Sequence, residues 1–134
     1  MFDDFGKLLL RVGIGVLLLF HGVDKAIHGI NFIEGMIGAR DLPSFVTYGV
    51  YLGEIIAPLL IIIGLFTKYA GLILAFNMFV AILLVHAGNI FTLGIHGEWS
   101  IETPLLFLIG GVVISLLGPG KYSLDKIFEE KNSR

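Results

Sequence analysis

Six polar side chains sit where a greasy sequence has least use for them. They are His21, Lys25, Glu54, Asn77, His86 and Glu102. Glu54 is the sharpest case: it stands alone in the first half of the aliphatic run VYLGEIIAPLLIIIGLF, residues 50–66. A carboxyl in apolar surroundings tends to stay neutral unless a cation or several donors hold it ionised. His21 and Lys25 can supply that hold, and their spacing of four puts both on one face of a helix. Pro58, one turn after Glu54, cannot donate to the carbonyl of residue 54, and its ring crowds that carbonyl. A helix through this stretch is therefore predicted to open at the acid. One freed acceptor and one carboxyl would then face the same small space.

The other three residues carry less. Asn77 is read as hydrogen-bonding to a neighbouring helix. It lies nine residues from His86, about 180° around a helix, so a regular helix cannot present both on one face. His86 is placed at a pocket mouth. Glu102 falls at a helix start, where a carboxylate also suits the helix dipole. Two readings of the cluster stay open. In one it is a polar clasp pinning three helices together. In the other it lines a pocket for protons or a polar head group, the common role of ionisable groups within membrane segments.

The elements that must position these groups follow from hydropathy. Of the 134 residues, 56% are hydrophobic and the mean hydropathy is +0.92. A soluble chain of this size needs far more polar surface. Four segments, about 6–27, 44–66, 69–88 and 100–118, have the length and composition to cross about 30 Å of hydrocarbon. The expected fold is an all-α membrane protein: a single domain over 1–134, built as a four-transmembrane-helix bundle. Lys7 and Arg11 before an apolar run resemble a secretory signal, but no small-x-small cleavage site follows. The first segment is therefore read as a retained signal-anchor helix.

Basic residues set the orientation. Lys7, Arg11, Lys68, Lys121, Lys126, Lys131 and Arg134 fall on one side, Lys25 and Arg40 on the other. This predicts both termini in the cytoplasm, within a bacterial-type inner membrane, and the polar cluster in the outer half. Arg11 is expected to snorkel to the inner headgroups. The first outer loop places Phe32, Ile33, Met36 and Ile37 at helical spacing and is read as a short interfacial helix. Pro43 suits the first turn of the second span. FTKY, 66–69, is read as a tight turn. Ser123 should cap a short tail helix, about 123–130, with Leu124, Ile127 and Phe128 on one face. Gly13, Gly15, Gly71, Ala75, Gly111 and Ser115 offer close approaches between helices, or a homodimer contact.

Several chemistries find no support. There is no cysteine, hence no thiol redox relay, thiolate metal site or iron–sulfur ligation within the chain. No phosphate loop, dinucleotide fingerprint or Ser–His–Asp order is present, and no basic patch suggests nucleic acid. His21, His86, His96, Glu54 and Glu102 are metal-ligand types, but without HExxH or a similar spacing they would have to converge from separate helices. No metal or haem site is assigned.

LLLRVGIGVLLLFHGVDKA resembles the opening of the DoxX family of small four-helix membrane proteins. LPSFVTYGVYLGEIIAPLLIIIGLFTKYAGLILAFNMFVAILLVH is similar to its middle, with the E-x-x-x-P step, the GLFT turn, the NM pair and the closing His. LGPGKYSLD resembles its ending. The family includes membrane subunits of thiosulfate:quinone oxidoreductase and proteins tied to redox, quinone or catechol stress. This sequence shows no thiosulfate-handling domain beside the DoxX-like unit. The resemblance lends weight to His21, Lys25, Glu54, Asn77, His86 and Glu102 without assigning them roles. It implies a redox-associated membrane subunit that binds a quinone or similar lipophile. Quinone carbonyls need donors in an apolar slot, and their reduction needs protons. The sequence carries no electron carrier of its own, so oxidoreductase work calls for a cofactor or a partner in a redox complex. The alternative is a non-enzymatic scaffold or assembly factor.

Overall fold

The computed structural model describes residues 2–29, 31–39 and 43–134, without the side chains of Phe32, Ile33, Met36, Ile37, Ser44 and Val46. Among the described residues the regular elements are helical apart from one isolated bridge, Leu93 to Trp99. Helix α1 is Phe2–His28 and α2 is Asn31–Gly38. A 3-10 turn, Ser44–Tyr48, leads into α3, Gly49–Ile63. Then follow α4, Thr67–Val85, α5, Glu102–Leu117, and α6, Leu124–Asn132.

Each predicted span has its helix, with different ends. The second stops at Ile63 rather than 66, because Gly64 adopts φ 74° and turns the chain. A side chain there would also crowd the Arg11 Nη2, 2.6 Å from an added Cβ. The third starts at Thr67, and the turn before it is tied by Asp125, whose carboxylate accepts from the Phe66 and Thr67 N–H groups at 2.8 and 2.9 Å. Ser123 caps α6 as expected, accepting from the Lys126 N–H at 3.2 Å. Leu124 is half-buried, whereas Ile127 and Phe128 are exposed. Pro43 precedes the 3-10 turn instead of entering it. The predicted interfacial segment is helical as α2, while the contacts of its four apolar side chains, and Arg40, lie outside the described residues.

Helices α1, α3, α4 and α5 pack around Leu18, Ala57, Ile61, Ala70, Leu74, Met78, Phe107 and Ile114. The α4–α5 pair is the most extensive. It depends on small residues: a Cβ on Gly71 would lie 2.6 Å from the Gly111 carbonyl oxygen, and the reverse holds too. Gly15 approaches α3 closely, with Pro58 O 3.0 Å from its Cβ position, but Gly13 has nothing within 4 Å and makes no such contact.

Outside this core the bundle is apolar. Leu9, Leu17, Phe20, Leu72, Phe76, Phe79 and Leu106 are all exposed. Helices α1 and α4 are long and apolar enough to cross a membrane, and only 22% and 33% of their most apolar windows is buried. A soluble core helix would be mostly buried, so this surface suits lipid. Helices α3 and α5 are apolar but shorter.

Arg11 departs from expectation. It is 1% exposed and does not snorkel. Its Nε donates to Ile61 O at 3.0 Å and its Nη2 to Ile62 O at 3.0 Å. Its Nη1 donates to Pro119 O at 2.8 Å and Tyr122 O at 2.9 Å. A helix end leaves carbonyls short of partners. At the end of α3, Ile62 O is served by Arg11, and Ile61 O takes Arg11 beside the Gly64 N–H at 3.2 Å. A guanidinium is the group whose planar fork can serve several such acceptors at once.

Candidate functional site

Glu54 sits in α3 where the helix changes type. Leu52–Ile56 is a π-helical turn, and the Ala57 N–H reaches back to Leu52 O. The predicted opening thus takes the form of a widened turn ending just before Pro58, a common device at functional sites. Helix α1 closes on the acid's own carbonyl. A Cβ on Gly22 would collide with Glu54 O and lie 2.7 Å from Glu54 C. The backbone of Gly22 thus packs directly against that carbonyl. Gly53 does the same service on the other face, where a Cβ would stand 2.7 Å from Asn77 Oδ1. Two glycines therefore let α1 and α4 press on the π turn.

The carboxyl itself is buried, with 5% of the side chain exposed. Lys25 Nζ donates to Oε2 at 2.5 Å, and Asn77 Nδ2 approaches Oε1 at 3.4 Å. Lys25 keeps 30% of its side chain exposed. The structure thus joins Lys25, Glu54 and Asn77, one from each of α1, α3 and α4. His21 does not hydrogen-bond to Glu54; its ring meets Phe107 edge-on at 5.8 Å.

These groups line a cavity of about 510 Å³. Leu18, Met78, Leu84, Pro104 and Phe107 supply apolar wall, and His21, Lys25, Glu54, Asn77, His86, Ser100 and Thr103 the polar wall. The volume and the mostly apolar lining with a few polar groups are typical of small-molecule sites. Asn77 and His86 both belong to it, against the expectation from helical geometry. The reason is that α4 ends at Val85, and His86 has left the helix with φ −111° and ψ 5°. Glu102 is not part of the wall. It is exposed in the first turn of α5, where it complements the dipole. Phe107, Ser100 and Thr103 carried no signal in the sequence, being ordinary residues in an apolar run or a loop.

A short hairpin joins α4 to α5 beside His86. Ser100 N donates to Thr92 O at 3.0 Å, Gly94 N to Glu98 O at 2.7 Å, and the Trp99 indole to Ile90 O. It fixes Ser100 at the cavity wall.

The DoxX family model matches residues 6–87, the part that carries α1 through α4 and five of the six polar residues. The chain belongs to the DoxX family. It is 30% identical over 131 residues to the "Putative oxidoreductase CatD" of Bacillus subtilis, covering 97% of this chain and 92% of that one. It is 33% identical over 126 residues to an uncharacterized protein of Haemophilus influenzae, covering 91% and 90%. An uncharacterized membrane protein of Mycobacterium tuberculosis is 27% identical over 128 residues, covering 87% and 77%. No solved structure matches. Membership and the lipid-suited surface agree: this DoxX protein is a membrane protein.

Proposed function

We propose that this DoxX protein is a redox-associated membrane subunit that binds a quinone or similar ring-shaped lipophile in the cavity between α1, α3, α4 and α5. The observation that carries the reading is the joining of a buried Lys25–Glu54–Asn77 group to an apolar cavity of ligand size. An oxygen-bearing ring can place its edge against the polar group and its faces against Phe107 and Met78. The name of the Bacillus subtilis relative points towards oxidoreductase work. The scaffold reading has its own support, since both oxygens of Glu54 already have protein partners.

Glu54→Gln separates the two. It keeps the shape and most hydrogen bonding but removes the charge that pairs with Lys25. On the binding reading the variant folds normally and loses at least about tenfold in quinone affinity, measured on protein in nanodiscs. On the scaffold reading Glu54→Gln leaves binding of any partner unchanged, and Glu54→Leu lowers stability by roughly 1–2 kcal/mol, the scale of a polar contact between membrane helices. If both variants match the parent in stability and affinity, neither role stands.

The same reading has four membrane crossings, with both termini in the cytoplasm of a bacterial-type cell and the cavity in the outer half of the bilayer. The distribution of lysine and arginine supports it. Single cysteines test it cleanly in a chain that has none. Cysteine at Asn31 or Asn89 should react with an impermeant thiol reagent on intact cells, and cysteine at Ser133 should not. Labelling at 133 alone would invert the orientation.

A further inference from the structure

The bundle has four sides, and the α1–α5 side is unlike the other three. Glycines close those three: Gly15 and Gly22 seat α1 on α3, Gly53 seats α3 on α4, and Gly71 with Gly111 seat α4 on α5. Between α1 and α5 the close approach is at Gly110, where an added Cβ would lie 2.7 Å from Ile14 Cδ1. Among the described residues this is also the least extensive of the four sides.

The cavity begins next to that contact. Ile14 is one turn before Leu18, and Gly110 is three residues past Phe107; Leu18 and Phe107 both belong to the cavity wall. From there toward Lys25, α1 gives Leu18, His21 and Lys25 to the wall, and α5 gives Thr103, Pro104 and Phe107. At this level the two helices meet through rings, His21 edge-on to Phe107 with centroids 5.8 Å apart. Two rings can part by side-chain rotation, with no backbone hydrogen bond broken. His21 and Thr103 line the cavity and are nonetheless exposed; Val85, at the end of α4, is the third such residue. The rim beside His21 and Thr103 is apolar. Leu17, one turn before His21 on the same face, is 57% exposed, and Leu106, three residues after Thr103, is 61% exposed. Such a rim suits hydrocarbon.

We infer that the α1–α5 side is the portal of the cavity, and that the ligand is of the kind that needs one: a ring head on a long hydrocarbon tail, which enters from the bilayer and leaves its tail there, between Leu17 and Leu106. This rests on the ligand-binding reading above and adds to it the class of ligand and its route. A cavity of about 510 Å³ holds a ring head, and a long tail has to lie elsewhere. Through this side the tail stays in lipid, so its methylenes never meet water. A water-soluble ring gains nothing from an opening placed there.

The test uses a fully substituted benzoquinone with a decyl tail, and the same ring with a methyl group in place of the tail. For mapping, the decyl probe carries a diazirine in the tail. Protein in nanodiscs is irradiated with it, with and without excess unlabelled decyl quinone, and adducts are located by mass spectrometry. Adducts that the competitor suppresses should fall on Leu17, Leu106 and their neighbours on α1 and α5. Suppressible adducts on the lipid-facing sides of α3 and α4, or on the hairpin between α4 and α5, overturn the portal while leaving the cavity a ring-binding site. Narrowing the rim gives a second readout, since neither leucine belongs to the cavity wall. Leu17→Trp combined with Leu106→Trp should weaken the decyl quinone about tenfold or more, the scale of an overpacked apolar contact, and leave the methyl analogue unchanged. Phe79→Trp, at an exposed position of α4 away from the portal, should change neither. A double variant that treats the two quinones alike, by losing both or keeping both, overturns the assignment as well. If neither quinone binds the parent saturably, the ligand-binding reading itself fails and takes this inference with it.

Discussion

Replacing Arg11 by methionine is expected to cost about 3–5 kcal/mol of stability, the largest effect of any single substitution considered. The side chain is 1% exposed and serves four carbonyls, at Ile61, Ile62, Pro119 and Tyr122. Methionine fills similar space but removes all four donations; Ile61 O keeps the Gly64 N–H, while the carbonyls of Ile62, Pro119 and Tyr122 lose the donor that Arg11 gave them. Each buried unpaired polar group costs about 1–3 kcal/mol, and partial access of water or lipid headgroups lowers the sum. Arg11→Lys should recover only part of the loss, because an ammonium cannot span two pairs of carbonyls as a planar fork does. Thermal unfolding in mild detergent, followed by circular dichroism, reads both variants. An Arg11→Met protein that melts with the parent would show that the four bonds are dispensable.

Two glycines on α1 should respond to alanine with opposite signs. At Gly13 nothing lies within 4 Å of an added Cβ, so Gly13→Ala should be neutral or gain up to about 1 kcal/mol from helix propensity. At Gly22 the added carbon meets the Glu54 carbonyl, which is backbone and cannot swing aside. Gly22→Ala should lose about 1–3 kcal/mol, and Gly22→Leu more. Ligand affinity should fall with it, since pushing α1 outward draws Lys25, one turn later, away from Glu54. The same melting experiment measures the pair. Equal effects at the two positions would mean that α1 does not seat on the π turn as described.

What was legible in the sequence follows from how local each cause is. The four apolar helices rest on composition and length, and both are local. The opening near Glu54 rests on Pro58, four residues away, and was readable for the same reason. Lys25 as the partner of Glu54 was one of two candidates on a single helix face, and the structure pairs the acid with Lys25 while His21 meets Phe107. The failures were non-local. Arg11 was read as a snorkelling side chain because its partners are 50 to 111 positions distant and are plain backbone carbonyls, which no residue type announces. Asp125 holds the start of α4 from 58 positions away. Gly22 and Gly53 looked like ordinary small residues until the neighbours pressing on them were known. The exclusion of Asn77 and His86 from one surface assumed that the helix runs past residue 86, and it stops one residue short.

The Arg11 bonds also bear on the order in which the protein is made. Arg11 leaves the ribosome well before Pro119 and Tyr122, which are 108 and 111 residues behind it. At about 5–20 residues per second, roughly 5–20 s of synthesis separates them. During that interval the guanidinium has at most the Ile61 and Ile62 carbonyls, and two of its four bonds are missing. The full set of four bonds forms only when residues 119–122 arrive. A chain that stops short of residue 119 therefore lacks two of the four carbonyls that hold Arg11 inward.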